Sequence, residues 1–449
     1  MKEYNFDIAV IGGGPSGVCA AVSAARSGAK VLIVEQYGVL GGMSTMGQVA
    51  PWMTFHDMQG VQVVRGLGQE IVDRLTARGM CRGHVRDTMG ETYSVTPFDN
   101  EGLKLVLAEM CREEGITLLF HTFVFGAETE DRRIKYLRAA NKNGEVRIRA
   151  KVYIDGSGDG DIFAMTGCSY EKGREGDHLM MPCTTNFSMY NVDFVKIRDF
   201  MLAHPEDFHD KTDMTAMRET GALPDCVSGF FEEWKRGQEE LDMHILRERI
   251  LFFRGVRDDI ATVNTTRLTE VDCTDADSMS NAEVELRKQV CQVAELLKKY
   301  VPGFEKAEIL GIAPIVGIRE GRRLAGEYVL TGDDLRAAKR FDDEIAVYGY
   351  PIDQHHPDGA GFTQSTIPAY GIPYRTLVPK EIDNLLVTGR CISCDREAQS
   401  SLRTTPGVMA IGEAAGAAAA EAAEKNIPVR NVDIPVLQAL LRSRGAYLD

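Results

Sequence analysis

The sequence predicts an α/β protein in which a parallel sheet with covering helices is interrupted by a second region of mixed character. Three stretches, far apart in the chain, predict it. The first, Asp7 to Gly17, joins the apolar run Ile8 to Ile11 to Gly12, Gly14 and Gly17; such a run has the length and composition of a buried parallel strand. The second, Val152 to Gly160, is a short apolar strand running into a turn of glycine and aspartate. The third, Asn384 to Arg390, is a strand ending in Thr388-Gly389. It is followed by Thr405 to Val408 and a helix rich in alanine and glycine from about Met409 to Ala423.

Each element of the first stretch has a physical reason. Gly12 permits a tight turn, Gly14 lets the backbone approach a pyrophosphate, and Gly17 lets the helix that opens at Pro15 and Ser16 pack close to the strand. The N–H groups at the start of that helix face the anion. Ala20 to Ala25 continue the helix, Ala29 to Val34 form the next strand, and Glu35 ends it, placed to hydrogen-bond the hydroxyls of an adenosine ribose. Strand, glycines, helix, strand and acid in that order read as a Rossmann-type dinucleotide-binding unit.

Glu35 suits NAD or FAD, and the two distal stretches decide for FAD. Asp155, Gly156, Gly158 and Asp159 resemble the second segment of a flavin-binding fold of the glutathione-reductase-like kind. Gly389, Arg390, Pro406 and Gly407 resemble its third segment, whose helix directs its N-terminal dipole at the flavin. The resemblance extends over nearly the whole chain to the FAD-dependent oxidoreductases, through Glu35 to Thr45 (with Gln36, Gly42 and Met43), Asn264 to Arg267, Gly317 to Arg323, Tyr370 to Arg375 and Gly389 to Ser393. It implies non-covalent FAD, a single dinucleotide-binding unit and a substrate that the family leaves open. The chain departs from the family pattern at Cys394 and Arg396, where relatives often carry a histidine before Glu397.

The 449 residues accommodate two or three domains. The division expected is a discontinuous FAD-binding domain, 1–170 and 315–449, with an inserted α+β substrate domain at 171–314. In the insert, Phe194 to Met201, Phe230 to Phe253 and Ala282 to Tyr300 have helical periodicity, and Thr184 to Tyr190 and Ile260 to Thr266 read as strands. A helix at about Gly102 to Glu114 leads back to the cofactor fold, and another is expected directly after Gly321.

A net charge of −15 argues against a nucleic-acid partner, because phosphate binding needs a basic face. No apolar stretch of about 18 uncharged residues suggests a membrane span, and Met1 to Phe6 lack the pattern of a secretion signal. The expectation is a cytoplasmic protein with reduced thiols, Cys19 and Cys291 at apolar positions among its ten cysteines. Homo-oligomerisation stays open. Cys391 and Cys394 form a C-x-x-C without the second pair a zinc site needs, so no metal is expected. A structural role is the simpler reading of the pair, with a thiol relay beside the flavin as the other.

Hydride transfer needs a water-poor pocket over the flavin, groups that orient the substrate and usually one proton donor or acceptor. Arg319 and Glu320, between Gly317 and Gly321 where the insert hands back to the cofactor fold, are the first candidates. His56 is the next. His355 and His356 read more simply as a solvated loop pair, and Tyr374 and Arg375 as surface or interface residues. Met43, Trp52, Met53 and Phe55 are candidates for an apolar wall. The function expected is hydride transfer between flavin N5 and a C–H bond of a small polar substrate, carboxylated or sugar-like. The alternatives are a flavin reductase of an activated C=C bond fed by an external electron carrier, and a non-catalytic flavin-fold binding module or complex subunit.

Overall fold

The molecule, a computed structural model describing residues 1–448, is built on a seven-stranded sheet. Strands Thr117–Leu119, Val31–Val34, Lys2–Ile11 and Gly144–Asp155 lie side by side in that order, all parallel, and Leu385–Val387 adds in parallel beyond the last of them. Arg133–Asn141 and Phe123–Glu130 extend the sheet as an antiparallel ladder. The parallel part is covered on both faces, which is why Ile8 to Val10 and Val31 to Val34 are uninterrupted apolar runs with no more than 2% exposure.

Helix Pro15–Arg26 packs along helix Thr405–Lys425 at a separation only glycine allows. A Cβ on Gly412 would stand 2.2 Å from the Ser16 carbonyl oxygen, and one on Gly416 2.0 Å from that of Ala20. The C-terminal helix begins four residues before the sequence suggests. Pro406 falls in its first turn, where the missing N–H has no partner to lose.

A second, five-stranded antiparallel sheet is ordered Cys226–Gly229, Ile250–Arg254, Ala261–Val263, Phe187–Tyr190, Glu308–Ile312. Its core, with Phe187, Phe230, Trp234 and Phe252, is covered by helix Ala276–Tyr300 through Val290, Val293 and Leu297. Three expectations are corrected here. The helical reading of Phe230 to Phe253 holds only for Phe231–Glu240; Ile250-Leu-Phe-Phe is a β-favouring run and forms a strand. No helix follows Gly321, because Arg322–Leu324 pairs with Tyr170–Lys172 instead. Cys291 is also not apolar in setting. It lies one position from Val290, off the inward stripe, and is exposed.

Among the described residues, no helix is long and apolar enough to cross a membrane.

Candidate active site

One long cleft takes its lining from all three of the stretches that predict the fold and from several segments the sequence does not single out. At one end stand Gly12, Gly14, Pro15, Ser16, Glu35, Gln36, Gly42 and Met43, joined by Gly156, Gly158, Asp159, Gly389 and Arg390. Gly12 has φ +101°, and a Cβ there would lie 2.2 Å from the Gly156 carbonyl oxygen. At Gly17, which is not itself in the lining, a Cβ would lie 2.0 Å from the Gly12 carbonyl oxygen. Both glycines are therefore fixed by packing. Gly14 differs, since nothing lies within 4 Å of where its Cβ would be: the space it leaves open faces the cleft.

Glu35 is held by two backbone donors, Gly13 N–H to Oε2 at 2.7 Å and Tyr37 N–H to Oε1 at 2.9 Å. Burial pushes its carboxyl up, against the lowering effect of those N–H groups. Asp155 does not line the cleft. It organises the turn beneath it, accepting from Ser157 N–H and Oγ on one oxygen and from Ile162 and Phe163 N–H on the other. Arg390 donates Nη2 to Asp159 Oδ1 at 2.6 Å. Pro406 and Gly407 lie behind Thr404, Thr405 and Val408, which supply the lining at the start of helix Thr405–Lys425.

The glycine floor, the fixed carboxylate and two helix N-termini, Pro15–Arg26 and Thr405–Lys425, fit an extended dinucleotide. Agreement with known proteins is direct: the chain matches the family described as FAD dependent oxidoreductase over residues 7–441. It belongs to that family. One relative in sequence matches over a short segment. A 45-residue segment is 49% identical to the soluble pyridine nucleotide transhydrogenase of Chromohalobacter salexigens, a tenth of each chain. In fold the flavoenzyme is similar to p-nitrophenol 4-monooxygenase of Pseudomonas putida DLL-E4, with TM-score 0.52 and 11% identity over 99% of this chain and 85% of that one. It is also similar to a geranylgeranyl bacteriochlorophyll reductase-like protein of Thermoplasma acidophilum, with TM-score 0.49 and 14% identity over 99% and 85%. The likeness to the monooxygenase shows a mixed α/β, Rossmann-like fold, and the family match gives FAD as the cofactor of this oxidoreductase.

At the other end, the flavoenzyme's cleft is lined by Arg247, Arg249, Arg267, Arg319 and Arg403, with Glu91, Glu248, Asp353 and His355 among them. Met43, Trp52 and Met53 line the region between the two ends, whereas Phe55 lies behind, packed on Trp52 with centroids 6.2 Å apart. Arg319 is in the lining and donates Nη1 to the Pro182 carbonyl at 2.7 Å; burial, then the guanidiniums of Arg403 and Arg267, lower it to about 10.

Glu320, its neighbour, points away. Its Oε1 accepts from Arg323 Nη1 at 2.6 Å and its Oε2 from Met181 N–H at 2.8 Å and Arg396 Nε at 3.1 Å, all outside the lining. The carboxylate fastens three segments together and has no face toward the cleft. His56 is also outside the lining, its Nδ1 2.8 Å from Ser94 Oγ. Tyr374 is buried with its hydroxyl on the Val429 carbonyl, and Arg375 pairs with Asp343. Cys391 and Cys394 are buried, their thiols pushed up by burial and directed at the carbonyls of Thr388 and Ile392; neither lines the cleft.

His355 does line the cleft, on strand Ile352–His355 of a hairpin. Arg267 Nη1 donates to its Nδ1 at 3.2 Å, which leaves the ring proton on Nε2, 3.3 Å from Asp353 Oδ2. Burial, with Arg319 and Arg403 nearby, lowers His355 to about 3. Burial opposes ionisation of Asp353 too, but His355 and the guanidiniums of Arg403 and Arg319 outweigh it and hold the carboxyl well below its usual range. Arg267 also donates to the carbonyls of His356, Gly359 and Gly361, pinning the hairpin turn over the cleft. Sequence reasoning passed over Arg247, Arg249, Arg403 and Asp353. The one available signal was Ile245, Arg247 and Arg249 on alternate positions before an apolar strand, which puts two cations on the face of a buried residue.

Proposed function

We propose that this oxidoreductase transfers a hydride between flavin N5 and a C–H bond of a small polar substrate, carboxylated or sugar-like. The observation that carries the reading is the continuity of the cleft, from the glycine and Glu35 end past Met43, Trp52 and Met53 to the arginine end. Bound FAD supplies a two-electron acceptor and donor. The chain's own residues do the rest.

Gly12, Gly14, Pro15, Ser16 and Gly17 would cradle the pyrophosphate, and Glu35 would accept from the ribose hydroxyls with the lone pairs its two backbone donors leave free. Gln36, Gly42, Met43, Gly156, Gly158, Asp159, Gly389 and Arg390 would complete the cofactor contacts, with Asp155, Pro406 and Gly407 supporting them from behind. The start of helix Thr405–Lys425 would lend partial positive charge to a reduced, anionic cofactor. Arg319 would orient the substrate. The FAD-binding part, 1–170 with 315–449, takes the glutathione-reductase-like form in this reading, supported by the parallel core and its antiparallel extension, with 171–314 as the substrate domain. A cytoplasmic location is supported by ten cysteines that are all free.

An anaerobic screen of small hydroxy acids, polyols and amino acids against the holoenzyme tests the function, with bleaching of the flavin absorption as readout. Reduction by one such compound is the expected result. If only an external reductant such as NADPH bleaches the flavin, as oxygenation like that named for the P. putida neighbour would require, the reading falls.

A further inference from the structure

Two guanidinium groups in the cleft are out of balance with their surroundings. Arg247 and Arg319 are each only 9% exposed, and neither has a carboxylate within ion-pair distance among the described residues. Arg319 bonds the Pro182 carbonyl at 2.7 Å, and Arg247 Nε bonds the Arg249 carbonyl at 3.1 Å. The acids nearby are committed elsewhere: Glu91 pairs with Arg249 at 3.4 Å, and Asp353 meets His355 at 3.3 Å and Arg403 at 3.4 Å. Glu248 is exposed.

A buried cation without a counter-ion is costly, and proteins keep one where an anion arrives to complete it. Among the other buried arginines Arg267 also lacks a carboxylate, but it spends its donors on His355 and the carbonyls of His356, Gly359 and Gly361; the rest are paired. Arg323 is paired with Glu320, Arg254 with Asp225 and Arg390 with Asp159. At this end of the cleft five guanidiniums face open space beside three carboxylates, Glu91, Glu248 and Asp353. Burial first, then the like charges of Arg249, Arg319 and Arg267, push Arg247 well below its usual range, and an incoming negative charge would relieve that repulsion.

We propose that the substrate of this flavoenzyme is a carboxylic acid, whose carboxylate is anchored by Arg247 of the inserted region together with Arg319 of the segment returning to the cofactor fold. The inference rests on the hydride-transfer reading and selects the organic acids from its two substrate classes. Each fork presents up to five N–H donors in a plane, and a carboxylate takes two of them in parallel, so two forks fix both its position and its plane. Arg249, Arg403 and Arg267 set a positive field around the anchor that favours anions over neutral sugars. The remainder of the acid would extend towards Met53 and Trp52, the apolar side of the same cleft.

The test is binding rather than turnover. Purified holoenzyme is titrated with propionate, lactate, succinate and glutarate, with the neutral amides of the same acids, and with inorganic phosphate and sulfate. Calorimetry and the flavin difference spectrum report binding. At least one carboxylate should bind saturably, with its amide weaker by tenfold or more and with phosphate and sulfate failing to displace it. Arg247→Gln and Arg319→Gln should each raise the Kd of that acid at least tenfold with FAD content unchanged, and the two lysine variants should fall between. Absence of saturable binding by any carboxylate, equal binding of an amide, or equal competition by phosphate would each overturn the proposal on the unmodified protein, whether or not the glutamine variants fold. Loss of FAD from either variant would assign the guanidinium to the cofactor and overturn it too. If the hydride-transfer reading alone were wrong, carboxylate binding would persist without flavin bleaching, so the two failures are distinguishable.

Discussion

Glu320 Oε1 lies 2.6 Å from Arg323 Nη1, with the glutamate side chain wholly excluded from water and the arginine 6% exposed. Arg396 completes the trio at 3.1 Å on the other carboxylate oxygen. Such a buried set is expensive to break, because removing the acid strands two cations. Glu320→Gln should lose on the order of 3 to 5 kcal/mol of stability, read as a lower urea midpoint. A variant as stable as the parent would show that the joint is held by other contacts.

Arg319→Lys should act differently from its neighbour's substitution. Lysine keeps the charge and loses the planar fork, at a cost of about 1 to 3 kcal/mol in transition-state stabilisation if the fork holds substrate. The expected result is a fall in kcat/KM of roughly 5-fold to 150-fold with flavin content intact. Release of FAD, or unchanged kinetics with an identified substrate, would count against a substrate role.

Gly14→Val should empty the cofactor site without unfolding the protein. Nothing in the chain opposes a side chain at Gly14, whose Cβ would meet open space, so the valine would compete only with a pyrophosphate. The ratio of flavin to protein absorbance after gel filtration should collapse while circular dichroism stays the same. Full flavin retention would show that the anion lies elsewhere.

Glu413 carries a pH-dependent contribution that can be isolated. On helix Thr405–Lys425 it is 3% exposed and accepts from Leu67 N–H at 2.9 Å, and burial raises it from 4.5 to about 7. A carboxyl raised in the folded state is held protonated there while the unfolded chain has already ionised. Its contribution is therefore most favourable below pH 4.5 and is lost as pH rises to about 7. Relative to Glu413→Gln, the parent should lose on the order of 1 to 3 kcal/mol across that window. Parallel stability curves for the two proteins would show that the group titrates normally.

Direct oxidation of NADPH should be negligible, since the sequence shows one strand, glycine turn and helix unit, which the proposed function gives to FAD. Anaerobic mixing in a stopped-flow instrument should show no rapid flavin bleaching by NADPH. Cys394→Ser should leave turnover within a few fold, because its buried thiol points at the Ile392 carbonyl and not into the cleft.

The glycine end of the cleft was readable in advance because its pattern is local. Gly12 to Gly17 and Glu35 carry their geometry in spacing alone. The arginine end of the cleft was harder to read for the same physical reason in reverse. Arg247, Arg249 and Arg403 resemble surface charge in the sequence, and only the fold, by wrapping the hairpin at Ile352–His355 and the five-stranded sheet around them, turns them inward. His355, which reads as a loop residue, is drawn in by Arg267, 88 positions away in sequence. Glu320 shows the opposite error. Adjacency to Arg319 suggested a shared task, yet consecutive extended residues point to opposite sides, and the carboxylate went to the joint.

The hydrogen bond between Ser16 Oγ and Thr388 Oγ1 spans 372 positions, and Gly412 and Gly416 seat the last long helix on the first. Segments made first on the ribosome therefore wait for nearly the entire chain before the floor of the cleft has walls. Folding must close very long loops before those contacts reward it. Chains stopped before residue 388 would hold the whole glycine turn and lack the strand end that meets Ser16.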